Sequence, residues 1–205
     1  MMELVDALCS QTHAKSVVEL SLEGCYRRSY STIFKALAKY NPKTGELAEL
    51  AGPEVPRPQE RKYWLLGIDV TPQPRPYART LQGRGFVYQP TIIKGNKPIT
   101  IGHQYSTVTL LPEKDKKQPA PWVVPLSVQR VKTNQKKAEA GAEQMGAILD
   151  HESLPFDQEL CVEVADSDYS QPLYLAANRK HGHFVSIVRS RGNRVYYQRV
   201  HENDT

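Results

Sequence analysis

The apolar positions of this chain follow two different periods. Over the first forty residues they recur at helical spacing, so 3–23 and 27–40 read as helices broken at Gly24. Ile33, Phe34, Leu37 and Tyr40 share one face of the second helix. Ser29 or Ser31 offers its N-cap, and Asn41-Pro42 stops it. This predicts a small helical hairpin with Arg27, Arg28, Lys35 and Lys39 on its surface. It serves either as a packing element or as a DNA-binding element, which a two-helix pattern alone does not separate. AGPEVPRPQE (51–60) then interrupts every period with three prolines and a glycine, the composition of a semi-extended linker. The expected organisation is a helical region over 1–50, a linker over 51–60 and a main domain over 61–205.

Beyond the linker the pattern is that of strands. KYWLLGIDV (62–70) is a compact apolar run that closes on one carboxylate, Asp69. The prolines of TPQPRP (71–76) lack amide donors, which places Asp69 at or near the strand end. PITIGHQYSTVTLLP (98–112) and WVVPLSVQRV (122–131) are the second and third strands, joined by a charged turn. TNQKKAEAGAEQMGAILD (133–150) reads as a helix capped by Thr133 or Asn134. LCVEVAD (160–166) is a fourth strand, again closing on a carboxylate. SQPLYLAAN (170–178) is a short helix with Pro172 in its first turn, HFVSIVRS (183–190) a fifth strand, and RVYYQRV (194–200) a sixth. Trp64 and Trp122 are expected in strands, as core. The result is a mixed α/β sheet of order β-β-β-α-β-α-β.

Charge sharpens this picture. The net is +5, but residues 61–137 carry 14 basic and 3 acidic side chains, whereas 138–178 carry 9 acidic and no basic ones. A basic surface beside an acidic locus suits a polyanion that also needs a metal ion. No apolar run has the ~18 residues of a membrane span. The first ten residues carry Glu3 and Asp6 in place of the basic start of a secretory signal. Three scattered cysteines form no C-x-x-C pair. A cytoplasmic protein with reduced thiols and no membrane partner is expected.

Asp69 and Asp166 lie 97 residues apart, so only the fold can bring them together. In the strand order above, the first and fourth strands can be parallel neighbours, and their terminal carboxylates then emerge side by side. Such carboxylates repel unless a divalent cation lies between them. Mg²⁺ favours this setting of one or two carboxylates, water and substrate phosphate. A pair of such ions would serve an in-line phosphoryl displacement. Asp168 follows closely and is a further candidate ligand. Arg75 and Arg79 on one side, and Arg189, Arg191 and Arg194 on the other, are candidate phosphate contacts. His103 reads as a half-buried strand histidine.

These motifs carry a resemblance. LLGIDVTPQPRPYA (65–78) resembles the first catalytic strand of DDE-type insertion-sequence transposases, ADSDYSQP (165–172) their second motif, and HFVSIVRSRGNRVYY (183–197) their fifth strand and the Arg-rich turn after it. The resemblance spans about residues 27–200. It implies an RNase H-like fold, a DDE superfamily endonuclease domain and a two-ion Mg²⁺ or Mn²⁺ site. Asp69 and Asp166 match the first and second metal-binding acids, and Asp168 stands as second choice. Tyr169 is expected to pack beneath the turn. The implied partners are double-stranded DNA at transposon ends and a full-length transposase, in the prokaryotic nucleoid. The family's third acid is a Glu on a helix beyond the fifth strand. The chain ends before such a helix, and Glu202 in HENDT has no helical context. The expectation is therefore a transposase truncated before its third acid and inactive alone. The alternative is a non-catalytic DNA-binding remnant or an inhibitor of the full-length enzyme.

Overall fold

A computed structural model of the chain describes residues 2–10, 13, 16–40, 45–88, 98–114 and 122–195. They belong to two compact units, Met1–Thr44 and Gly45–Thr205. Among the described residues no helix is long and apolar enough to cross a membrane. Cys9, Cys25 and Cys161 are free thiols.

The first unit holds helices α1 (Met2–Ser10), α2 (Val17–Leu20) and α3 (Tyr30–Lys39). The single helix expected over 3–23 is thus two. Ser16 restarts the chain, its hydroxyl accepting the Glu19 amide at 3.2 Å as an N-cap. Leu4, Leu20 and Ile33 form the small core, with Val17 and Tyr26 against it. The face expected to be buried on α3 is only partly so. Ile33 is buried, while Phe34, Leu37 and Tyr40 stay exposed.

The second unit is built on a six-stranded mixed sheet. Its strands are β1 (Trp64–Pro74), β2 (Gly85–Tyr88), β3 (Ile99–Leu110), β4 (Val124–Arg130), β5 (Cys161–Ala165) and β6 (Phe184–Val188), in the order β2-β3-β1-β5-β6 with β4 also on β3. β1 runs antiparallel to β3 and parallel to β5, and β5 is parallel to β6. This is the mixed sheet expected of an RNase H-like core. β2 is an addition that the sequence pattern missed, because four residues that begin with Gly85 show no clear alternation. Of the expected sixth strand, Arg194 and Val195 are not in a strand, and 196–200 lie outside the described residues. Trp122 precedes β4 and is half exposed, not core.

β1 does not stop at Asp69. It continues through Pro72 and Pro74, paired with Gln104 and Gly102 of β3. In this stretch the odd-numbered amides face β3, as the Arg75 amide does in donating to Ile101 O at 2.8 Å. Even-numbered positions face outward, where β5 has ended at Ala165. Proline there removes a donor that has no strand to meet, as at any sheet edge.

Alternation along the strands sorts the side chains onto two faces. Trp64, Leu66 and Ile68 of β1, Val108 and Leu110 of β3, Leu126 of β4 and Cys161 of β5 are buried on one face. Helices α5 (Lys137–Leu149) and α6 (Pro172–Ala177) cover that face with Ala138, Met145, Ile148, Leu149 and Tyr174. Burying each such large side chain contributes about 1.5–3 kcal/mol. α5 starts later than expected. Its box is closed by Glu139, whose carboxylate accepts the Lys136 amide at 3.2 Å, while the Thr133 hydroxyl donates to Gly83 O instead. Helix α4 (Glu46–Ala51), which no pattern predicted in a segment assigned chiefly to the N-terminal region, belongs to this unit, and its Ala48 is part of the main core.

Two contacts fix how the layers meet. Gly141 of α5 lies on the Tyr169 ring and Ile68: a Cβ there would come within 2.6 Å of Tyr169 Cε1 and 2.9 Å of Ile68 Cδ1. Glu113, just after β3, accepts the backbone amides of Gln59 (2.7 Å), Glu60 and Arg61, and pairs with the Arg61 guanidinium at 3.3 Å. The Arg61 amide foremost, then that of Gln59, lowers its pKa from 4.5 to about 2. That cluster ties the entry of β1 to the exit of β3.

Gly-to-Ala changes inside helices ordinarily stabilise by about 1 kcal/mol. Gly141→Ala is expected to do the opposite, destabilising by about 1–3 kcal/mol through overpacking, read as a lower melting temperature in circular dichroism. A depressed carboxylate pKa contributes stability above the unfolded value that is lost as pH falls through the folded value. The gap in urea midpoint between the native chain and Glu113→Gln should therefore be widest above pH 4.5 and close as pH approaches about 2.

Candidate metal centre on the open face of the sheet

The second face of the sheet has no helix on it among the described residues. Val128, Val185 and Ile187 are exposed there. Its side chains are the odd-numbered ones of β1 and β3 and the even-numbered ones of β5. Asp69 is on this face, exposed and paired in register with Thr107 of β3. Ile68 pairs with Ala165, so the next position sets Asp69 beside Asp166. Asp166 keeps an extended backbone (φ −78°, ψ −174°), which continues the strand by one residue. Val188 pairs with Ala165, and the Arg189 amide donates to Ala165 O at 3.1 Å, which sets Arg189 beside Asp166 in turn. One rung thus crosses the sheet as Arg189, Asp166, Asp69, Thr107, Val128. Neighbours along it are about 4.8 Å apart at the backbone.

The two aspartates meet where β5 stops and β1 goes on with β3 alone. Each carboxylate uses one oxygen locally. Asp69 Oδ1 accepts the Val70 amide at 2.7 Å, and Asp166 Oδ1 accepts the Asp168 amide at 2.8 Å, capping the 3₁₀ turn Ser167–Tyr169. Neither is ion-paired among the described residues. Two adjacent, solvent-facing carboxylates fit a hard divalent ion, which takes oxygen ligands and completes its shell with water and phosphate. No group of three or more His, Cys, Asp or Glu among the described residues is placed to hold a metal, so the site offers two protein carboxylates. Glu202 lies outside the described residues.

Asp168 is placed differently. Its carboxylate accepts from Lys137 Nζ at 3.0 Å and from the Arg191 guanidinium at 2.8 Å. The Lys137 hydrogen bond foremost, with Arg191 behind it, pulls its pKa below the usual range against the cost of burial. Asp168 thereby ties the turn to α5 and to the segment after β6. The sequence hides this clamp, because its partners are 31 and 23 residues away.

Beneath the rung lies Tyr169, buried as expected. Its ring meets Tyr174 edge-on at 4.9 Å. Burial foremost raises its pKa, and the charges of Asp69, Asp166 and Glu163 add to the rise. The Tyr169 and Ser106 hydroxyls are both buried, and neither makes a hydrogen bond of good geometry, although Ser106 is close enough to temper that rise. Glu163, fully buried on the helix side, accepts from the hydroxyls of Tyr174 and Ser186. Desolvation raises its pKa. No local pattern marks this carboxylate as pointing into the core, since the residues that satisfy it lie on α6 and β6.

Of the candidate phosphate contacts, Arg75 and Arg79 are exposed beyond Asp69, Arg189 flanks Asp166, Arg191 is bound to Asp168, and Arg194 is half buried. His103 is half buried in β3, its Nε2 held 2.9 Å from Gln82 O.

Residues 2–204 match the family model described as DDE superfamily endonuclease. No curated protein matches the chain.

The geometry separates three neighbouring acids by role. Mn²⁺ affinity, followed by the free-ion electron paramagnetic resonance signal, is expected to fall at least tenfold in Asp69→Asn and in Asp166→Asn. Asp168→Asn should leave it within about twofold while costing up to about 1 kcal/mol in stability, the range of partly exposed ion pairs. Equal loss in all three variants would contradict the assignment.

Proposed function

The chain belongs to the DDE superfamily endonucleases, and on that premise we propose that it derives from an insertion-sequence transposase whose DNA strand cleavage and transfer use Mg²⁺ or Mn²⁺ held by Asp69 and Asp166. The observation that carries this reading is the rung on which the two carboxylates stand side by side, facing solvent and, among the described residues, without an ion pair. A divalent ion bound there supplies activation of a water or hydroxyl and stabilisation of the leaving oxygen at a phosphodiester.

The chain's own residues do the rest. The parallel β1–β5 pairing sets the spacing of the two carboxylates. The Lys137–Asp168–Arg191 clamp holds the turn that carries Asp166. Arg189, beside Asp166, and Arg75, further along the same face, are suited to phosphate oxygens on either side of the carboxylates. Double-stranded DNA is the proposed substrate, and the nucleoid in the cytoplasm is the proposed location. Full-length transposase is the proposed protein partner.

With two carboxylates at the site among the described residues, ion binding by this chain is weak, and we propose that it does not cleave DNA by itself. A second reading has support in the charge distribution. The excess of 14 basic over 3 acidic residues across 61–137 suits a DNA-binding protein that acts without cleavage, as a remnant or an inhibitor of the intact enzyme.

Incubation of the pure chain with supercoiled plasmid and Mn²⁺ tests both readings. The expected outcome is no nicking above the metal-only control, together with DNA binding that weakens steeply as salt rises and is unchanged in Asp69→Ala. Nicking that Asp69→Ala abolishes would overturn the inactivity and keep the catalytic assignment. Absence of salt-dependent DNA binding would overturn both readings.

A further inference from the structure

Beyond Asp69 the open face carries a groove of about 440 Å³, lined chiefly by Thr71, Gln73, Arg75, His103, Tyr105 and Thr107. Its position follows from register. Thr107 stands opposite Asp69, Tyr105 opposite Thr71, and His103 opposite Gln73. The groove therefore begins at the carboxylate rung and runs away from it, one step of about 7 Å for each pair of residues. On the far side of β3, Tyr105 pairs with Arg130 of β4, whose guanidinium is turned toward Gly83, while Arg75, just past the end of β1, lines the groove.

The chemistry of the lining is mixed in a particular way. Tyr105 is a half-buried aromatic on an otherwise polar floor, and His103 buttresses it edge-on, with ring centroids 6.2 Å apart. The histidine is itself fixed by the Gln82 carbonyl at 2.9 Å. Leu81 and Val128 add apolar wall. Arg75 and Arg130 are exposed, and the Arg130 guanidinium lies over Gly83, where a Cβ would come within 3.0 Å of it. That glycine also takes a positive φ of 62°, a conformation that glycine adopts without strain.

We propose that this groove binds one unpaired nucleotide next to the Asp69 and Asp166 carboxylates, its base stacked on Tyr105 and its backbone held by Arg75. The proposal rests on the DNA reading above and adds to it a preference for single-stranded substrate at this position. A stacking platform beside a cation is the device by which proteins hold single strands without reading sequence. A base still inside a duplex is stacked on its neighbours and has no face to offer Tyr105. The volume falls within the range of small-ligand sites, about 300–1,000 Å³. The threonine and glutamine side chains of the floor add hydrogen-bonding groups for base edge or sugar.

The test uses the full chain, a fluorescein-labelled 12-nucleotide single strand of mixed sequence, and the blunt duplex of the same sequence. Tyr105→Ala is expected to weaken single-strand binding about 5- to 100-fold and duplex binding less than about twofold, whereas Tyr105→Phe stays within about threefold of the native chain for both. A melting curve checks that each variant folds. Tyr105→Leu, which keeps apolar bulk in the strand, replaces the alanine variant if that one does not. A strand carrying 2-aminopurine provides a second readout: its fluorescence should be quenched on binding the native chain and not on binding Tyr105→Leu. Equal losses for single strand and duplex, or no loss for either, would overturn the nucleotide site while leaving the DNA reading intact. Failure of the native chain to bind either DNA would fall on the DNA reading itself.

Discussion

The parallel pairing of β1 with β5 is the constraint on which this structure turns. It fixes Ile68 against Ala165, and with them the next residue of each strand, Asp69 and Asp166. Two carboxylates so placed repel by about 1 kcal/mol across water. A folded domain bears a cost of that size, and a divalent cation reverses it. The pairing is secured on the helix side by Trp64, Leu66, Ile68 and Cys161, packed under α5 and α6. Apolar packing on one face thus sets the charge geometry on the other.

The same division between faces explains the supporting residues. Tyr169 and Gly141 fill the space beneath the aspartates so closely that α5 has no room for a side chain there. Asp168 is held by two cations and fixes the turn after β5. Glu163 points away from the rung and is satisfied by two hydroxyls in the core. Of four carboxylates within one stretch of sheet, two face solvent at the site and two stabilise its frame.

Much of this was legible in the sequence, for physical reasons. The runs that end at Asp69 and Asp166 are buried on one face and continuous enough to read as strands, and their intervening order leaves few ways to form a sheet. The resemblance to DDE transposases agrees with the family match. Other features were not legible. Prolines at 72 and 74 suggested an end to β1, but in a strand that has lost one neighbour they occupy outward-facing positions. The short strand Gly85–Tyr88 carries too few residues for a period. Ion pairs such as Lys137–Asp168–Arg191, and the groove around Tyr105, are made by residues from different elements, which no local pattern records.

Crystals of the chain soaked in MnCl₂ and measured at the manganese edge would test the central claim most directly. The account predicts an anomalous peak within ligand distance of both the Asp69 and Asp166 carboxylates, on the face of the sheet opposite α5, with no contact to Asp168. Density placing those two side chains on opposite faces, or manganese bound only elsewhere, would contradict it.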